Sequence, residues 1–270
     1  MKNLFCIKDR VAILTGGCGI LGGCMAKHLA SEGAKVVILD RNKESGKKLE
    51  TEIKSEGYEA LFLETNVLDK EILEQNKKDI LKQYGRIDIL VNLAGGNMAG
   101  ATIPPEKTFF DLEIDAFKKV VDLNLFGTVL PTMVFAEVMV KQQKVSIINI
   151  SSESALRPLT RVVGYGCSKA AISNFTQYMA GELALKFGEG LRVNAMAPGF
   201  FLTEQNRALM SNPDGTPSDR CKTIVAHTPF GRLGEPEELL GTLQWLASDA
   251  SAFVTGTVIP IDGGFDAFSI

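Results

Sequence analysis

The chain has 270 residues, 45% hydrophobic and 23% charged, with a net charge of −3. That length and balance suit a globular α/β chain able to bury a large core, and they exclude low-complexity disorder. Weak acidity excludes nucleic acid or an anionic membrane as the main partner, because both demand a basic face that this composition does not supply.

Short β-branched runs alternate with helical patterns along the whole chain, which is the signature of βαβ units wound into a parallel sheet. Val11 to Leu14 reads as a buried strand that runs into a glycine cluster, followed by a helix from Ile20 to Ser31 closed by Gly33. Lys35 to Asp40 is the second strand, and a charged helix then ends near Gly57. Ala60 to Leu63 is the third. A helix from Asp69 to Tyr84 stops at Gly85, and Ile87 to Asn92 is the fourth strand. A long helix over Ile114 to Lys141 precedes strand five, Val145 to Ile150, and a second long helix runs through Lys169 to Phe187. Arg192 to Met196 is strand six. Phe200 to Pro229 lacks clear periodicity, as expected of a mobile substrate loop. Helix Glu235 to Ala247 and strand Thr257 to Ile261 complete the pattern. The expected architecture is α/β: a single doubly wound Rossmann-type domain over residues 1–270, with a seven-stranded parallel sheet, helices on both faces, and the substrate-loop region 200–229 within it.

No apolar run reaches the roughly 18 to 20 residues of a membrane span, and Met1 to Cys6 is too short and polar for a signal peptide, so no membrane is expected. The cysteines Cys6, Cys18, Cys24, Cys167 and Cys221 fall in no CxxC or metal-ligand spacing, which fits a reduced, cytoplasmic protein. His28 and His227 are too few for a His-rich metal centre or a Ser-His-Asp triad, so the site is expected to hold no metal.

After strand one the sequence reads Thr15-Gly16-Gly17-Cys18-Gly19-Ile20-Leu21-Gly22. Glycines here allow a tight turn and let a pyrophosphate approach the backbone at the positive end of the next helix; a plain strand-to-helix turn is the alternative. Asp40 ends strand two, where a carboxylate accepts both ribose hydroxyls and repels a 2′-phosphate, pointing to NAD over NADP. Arg41 beside it pulls toward NADP, and a helix-capping role before Asn42 is the other reading of Asp40. Ser152 closes strand five, while Tyr165 and Lys169 lie four positions apart and so on one helix face. A nearby ammonium lowers a phenol's pKa toward the range of a general acid/base, and Ser152 is suited to hold the substrate oxygen. Asn124, an amide in the apolar run Leu123-Asn124-Leu125, either uses its side chain or distorts its helix to hold a water beside Lys169. Taken singly, each of the four has a structural reading: a core aromatic, a solvated lysine, a cap, a satisfied buried amide.

Together these residues closely resemble the short-chain dehydrogenase/reductase family over essentially the whole chain. The matching motifs include Asn92-Leu93-Ala94-Gly95, Asn149-Ile150-Ser151-Ser152, Tyr165 with Lys169, Pro198-Gly199 followed by Thr203, and Asp262-Gly263-Gly264. The resemblance implies a catalytic group of Asn124, Ser152, Tyr165 and Lys169. It implies a cofactor site of Gly16, Gly19, Ile20, Leu21, Asp40, Asn66, Val67, Asn92, Ala94, Gly95, Pro198, Gly199, Phe201 and Thr203 beside Tyr165 and Lys169. It also implies a homotetramer built through the two long helices and the C-terminal strand. Ile20 departs from the family where a middle glycine is usual, Asn66 where Asp is usual, and Gly96 to Asp111 is longer than in a minimal member.

Phe109-Phe110-Asp111-Leu112, Arg157-Pro158-Leu159-Thr160, Pro198-Gly199-Phe200-Phe201, His227-Thr228-Pro229 and the stretch Leu202 to Arg207 are similar to the D-mannonate oxidoreductase, or fructuronate reductase, subgroup. A hexuronate requires a guanidinium and several amide partners, for which Asn97, Arg157, Gln205, Asn206 and Arg207 are candidates beside Ser152. The expected partner is thus a small sugar acid, with D-mannonate and D-fructuronate interconverted. The alternatives are a gluconate 5-dehydrogenase-like or polyol activity, a 3-oxoacyl carrier-protein reductase, or a non-catalytic NAD-binding scaffold.

Overall fold

The computed structural model describes residues 3–203 and 210–267. Seven parallel strands form one sheet in the order β3-β2-β1-β4-β5-β6-β7. They are β1 Val11–Thr15, β2 Lys35–Asp40, β3 Ala60–Glu64, β4 Ile89–Asn92, β5 Val145–Ile150, β6 Leu191–Pro198 and β7 Val258–Ile261. Consecutive β1 residues alternate between two cores: Ala12 and Leu14 pack on one face, Val11 and Ile13 on the other. This is why the strands read as unbroken apolar runs.

On the first face lie α1 (Ile20–Ser31), α2 (Lys43–Ser55) and a helix over Leu240–Ala247, contributing Met25, Leu29, Ile53, Leu243 and Leu246. On the second lie α3 (Lys70–Tyr84), α5 (Gly127–Met139) and α7 (Val163–Phe187), contributing Leu73, Ile80, Phe135 and Leu183. Local chemistry sets the ends. The Asn42 side chain accepts from Ser45 N to start α2, and Asp69 accepts from Glu71 N and Ile72 N to start α3. Gly85, at φ 73°, closes α3 in a left-handed conformation.

Three features depart from the sequence expectation. The long helix is α4 (Ile114–Val121), a π turn over Asp122–Phe126, then α5. By length and composition Ile114–Met139 is apolar enough to cross a membrane, which a search for unbroken apolar runs misses because Asn124, Thr128 and Thr132 interrupt it. Half of its most apolar window is buried within the protein, as in a core helix. Second, the aperiodic stretch contains a helix, α8 (Asp219–His227), capped by Ser218, whose Cys221 and Ile224 pack on Met210, Phe200 and Leu233. Its apolar face is only two turns long, too short to register as a period. Third, the last expected helix begins as a 3₁₀ turn over Pro236–Leu239 and becomes α9 at Leu240–Ala247. The short α6 (Glu153–Leu156) follows β5.

Candidate active site

The C-terminal ends of β1, β2, β4, β5 and β6 open on one edge of the sheet, where the strand order reverses between β1 and β4. Thr15 Oγ1 ties the edge together by accepting from Leu93 N (3.1 Å) and Ala94 N (3.2 Å). Gly16 has φ +63°, and a Cβ there would stand 2.7 Å from Ala94 Cα, so only glycine fits between the two loops. A Cβ on Gly19 would come no nearer than 3.8 Å to any neighbour, leaving that backbone open at the start of α1.

This turn borders a cleft of about 520 Å³ lined by Gly16, Gly19, Ile20, Leu21, Asp40, Val67, Ala94, Gly95, Tyr165, Lys169 and Thr203, all expected from sequence. Thr65 also lines it and was missed; its only sequence signal is its place before Asn66 and Val67. Asp40 Oδ2 accepts from Cys18 N (3.0 Å) and Oδ1 from Asn42 N (2.9 Å), so both backbone amides fix the carboxylate on the cleft wall. Burial, and then the charge of Asp40, push the neighbouring Cys18 thiol up to about 12, so that thiol stays protonated. An extended cleft with an open helix N-terminus and a fixed carboxylate beyond it fits a dinucleotide, with Asp40 at the ribose end.

Five expected cofactor residues are absent from this lining: Pro198, Gly199 and Phe201 line the adjoining cavity, and Asn66 and Asn92 stand elsewhere. Asn66 is exposed and closes an Asx turn by accepting from Leu68 N (3.1 Å). Asn92 is buried behind the cleft wall, donating to Thr132 Oγ1 and Asn149 Oδ1, both at 2.9 Å, in a polar bridge between β4, α5 and β5.

Tyr165 and Lys169 share one face of α7, with Lys169 Nζ 5.5 Å from the phenol ring centroid. Lys169 is buried and donates to Ile150 O at 2.7 Å; burial brings its pKa down to about 8. The Tyr165 phenol is held above its ordinary value by burial, against which the hydrogen-bonding Ser152 hydroxyl pulls down. The sequence reading expected an ammonium to acidify this phenol, but in the protein alone desolvation dominates. The ammonium is aimed at a carbonyl, and the phenol is kept neutral.

The π turn places Asn124 against the same spot. Its Oδ1 accepts from Gly96 N (3.0 Å) and its Nδ2 donates to Gly96 O and Val120 O, both at 2.7 Å. The amide is fully engaged in holding the loop after β4 rather than reaching toward Lys169.

A second cavity of about 530 Å³ adjoins the first; Leu21, Ile150, Tyr165 and Thr203 border both. Asn97, Ser152, Pro198, Gly199 and Phe201 line it, as do Glu153 and Arg220, which the sequence reading passed over. Asn97 Nδ2 donates to Thr102 Oγ1 (2.8 Å), and its buried Oδ1 meets no donor among the described residues. Arg157 is absent from this wall; its Nε donates to Asp266 Oδ1 at 2.8 Å in an ion pair with the C-terminal region. Gln205, Asn206 and Arg207 lie outside the described residues.

Glu153 is 1% exposed and neither carboxyl oxygen meets a donor among the described residues. Burial first, then the charges of Asp262 and Asp266, push its pKa up to about 7. Asp262 already accepts from Gly264 N (2.9 Å) and Asp266 N (2.7 Å). The proton therefore favours Glu153, whose carboxyl is crowded by the charges of Asp262 and Asp266. The signal for Glu153 was present in sequence: an acid directly after Ser152, just past the end of a wholly buried strand.

A family profile described as enoyl-(acyl carrier protein) reductase matches residues 19–266. An uncharacterised oxidoreductase of Bacillus subtilis, UxuB, is 46% identical over 273 residues, covering 97% of each chain. Among solved structures, a candidate D-mannonate oxidoreductase from Haemophilus influenzae with bound NAD is 43% identical at a TM-score of 0.93, covering 99% of both chains. A gluconate 5-dehydrogenase from Burkholderia cenocepacia, in complex with NADP and tartrate, is 30% identical at 0.88, covering 98% of both. The chain belongs to the short-chain dehydrogenase/reductase family and is an oxidoreductase acting on CH-OH groups.

Proposed function

We propose that this protein is an NAD-dependent oxidoreductase interconverting a secondary hydroxyl and a ketone on a sugar acid, D-mannonate and D-fructuronate foremost. The observation that carries this reading is the position of Tyr165, on the wall common to a dinucleotide-shaped cleft and a polar second cavity. Asp40 favours NAD, since a 2′-phosphate at that point would face a carboxylate already fixed by two amides. When bound, the nicotinamide supplies or accepts the hydride.

The chain's own residues handle the oxygen. Ser152 hydrogen-bonds the substrate oxygen and holds the carbon in place; the neutral Tyr165 phenol gives its proton to that oxygen during reduction, and its phenolate form takes a proton from the hydroxyl during oxidation. Lys169, with a pKa of about 8, exchanges a proton near neutral pH and is kept from wandering by Ile150 O. Asn124 positions the Gly95–Gly96 loop that forms the opposite wall.

The molecule is read as one domain, with Phe200, Phe201, Thr203, Met210 and Arg220 of the substrate-loop region bordering the substrate cavity, and as a reduced cytoplasmic protein whose five cysteines are all free. Its partner is a small molecule, with no role for nucleic acid or membrane. Exposed Phe126 and Met133 on the long helix, Tyr178, Leu185 and Phe187 on α7, and Phe253 before β7 support a homotetramer built through those faces.

The test follows nicotinamide absorbance over a panel of hexuronates, aldonates and neutral polyols with NAD(H) and NADP(H). Turnover of D-fructuronate with NADH, above that of neutral ketoses, is the expected result; faster turnover of neutral polyols would sink the sugar-acid reading.

A further inference from the structure

We propose that Arg220 is the residue that anchors the substrate carboxylate, making the second cavity selective for acids over neutral sugars. This rests on the sugar-acid reading above and assigns it to one side chain. Arg220 is the only cation among the described residues lining the cavity that also holds Ser152 and Tyr165. Its Nη1 donates to Thr160 Oγ1 (3.0 Å) and Nη2 to Thr160 O (3.3 Å). These two bonds clamp the guanidinium to the loop that leads into α7. Its Nε is buried and meets no acceptor among the described residues.

No described carboxylate pairs with Arg220. Its charged neighbour is another guanidinium, Arg161, and burial together with that like charge disfavours its cationic form. Two cations held close with no counter-ion among the described residues, one with a donor left over, are a costly arrangement that an incoming anion relieves. Arg157, the other candidate cation nearby, is neutralised by Asp266. Among the described residues the one acid on the cavity wall is Glu153, whose carboxyl favours its neutral form and so competes little for the guanidinium. A sugar acid carries its carboxylate near the end of the chain opposite the reacting carbon. Arg220 thus takes the carboxylate while Ser152 and Tyr165, on the same cavity wall, take the oxygen of the reacting carbon.

The experiment measures kcat and KM for D-fructuronate and for neutral D-fructose with NADH, using wild type, Arg220→Met and Arg220→Lys, with NADH binding by fluorescence as the check on folding. The expected result is a drop of about 100-fold in the acid-to-neutral ratio of kcat/KM for Arg220→Met, mostly in KM, with Arg220→Lys recovering part of it. Equal losses on both substrates would show that Arg220 merely straps the Thr160 loop, overturning the anchor while leaving the sugar-acid reading intact. A wild type that does not favour the acid overturns both. If neither sugar is turned over, thermal shift of the NADH complex with a panel of aldonates decides. Stabilisation lost in Arg220→Met supports the anchor for a different acid, and no stabilisation in wild type overturns it.

Discussion

Replacing Glu153 by Gln tests the electrostatics of the cavity wall through stability alone. Glutamine is isosteric with the protonated acid, keeps a donor toward Asp262, and cannot ionise. The wild-type carboxyl is raised from 4.5 to about 7 by burial and by Asp262 and Asp266, so the folded protein holds a proton that the unfolded chain has released between those values. Stability from this group is therefore intact below pH 4.5, declines as pH rises toward 7, and is fully lost above 7. At about 1.4 kcal/mol per unit, a shift from 4.5 to about 7 corresponds to about 3 kcal/mol. The carboxyl borders an open cavity, so water screening reduces the figure to about 2 kcal/mol. For a chain of this size that is a rise in Tm of about 4 to 8 °C. Thermal melts of both proteins at pH 4.5, 6 and 8.5 should give coincident curves at the lowest pH and a gap that opens with pH in favour of Glu153→Gln. A gap independent of pH, or one that closes as pH rises, would falsify the assignment of the proton to Glu153.

Tyr165→Phe should reduce kcat by about 10³-fold while NADH binding persists, since it removes the proton donor and little volume; turnover within tenfold of wild type refutes the acid/base role. Asp40→Ser should shift the NAD-to-NADP ratio of kcat/KM by about 100-fold toward NADP, because it removes a charge beside the 2′ position. An unchanged ratio would mean that Asp40 serves only Cys18 N and Asn42 N. Gly46→Ala should destabilise the fold although alanine favours helices by about 1 kcal/mol. The added Cβ would stand 2.0 Å from the buried Phe62 ring, an overpacking that costs about 1 to 3 kcal/mol. The double variant with Phe62→Leu should recover stability, and a neutral single variant would contradict the packing of α2 on β3.

The sequence by itself determined the strands, most of the helices and the shared face of Tyr165 and Lys169, because these rest on local physics. Strands buried on both faces must be apolar throughout, caps such as Asn42 and Asp69 act within three residues, and Tyr165 and Lys169 share a face by helical spacing alone. It also indicated where Asp40 and the glycine turn would meet, since a βαβ unit fixes that distance along the chain. Only the tertiary structure decided what depends on neighbours distant in sequence. Asn92 and Asn149 are adjacent only because β4 and β5 pair. Arg157 is withdrawn from the cavity by Asp266, 109 positions away, while Arg220 is brought in by a helix whose apolar face is too short to read. The protonation of Tyr165 and Glu153 likewise follows from desolvation and from charges that the fold brings together, and no spacing along the chain encodes either.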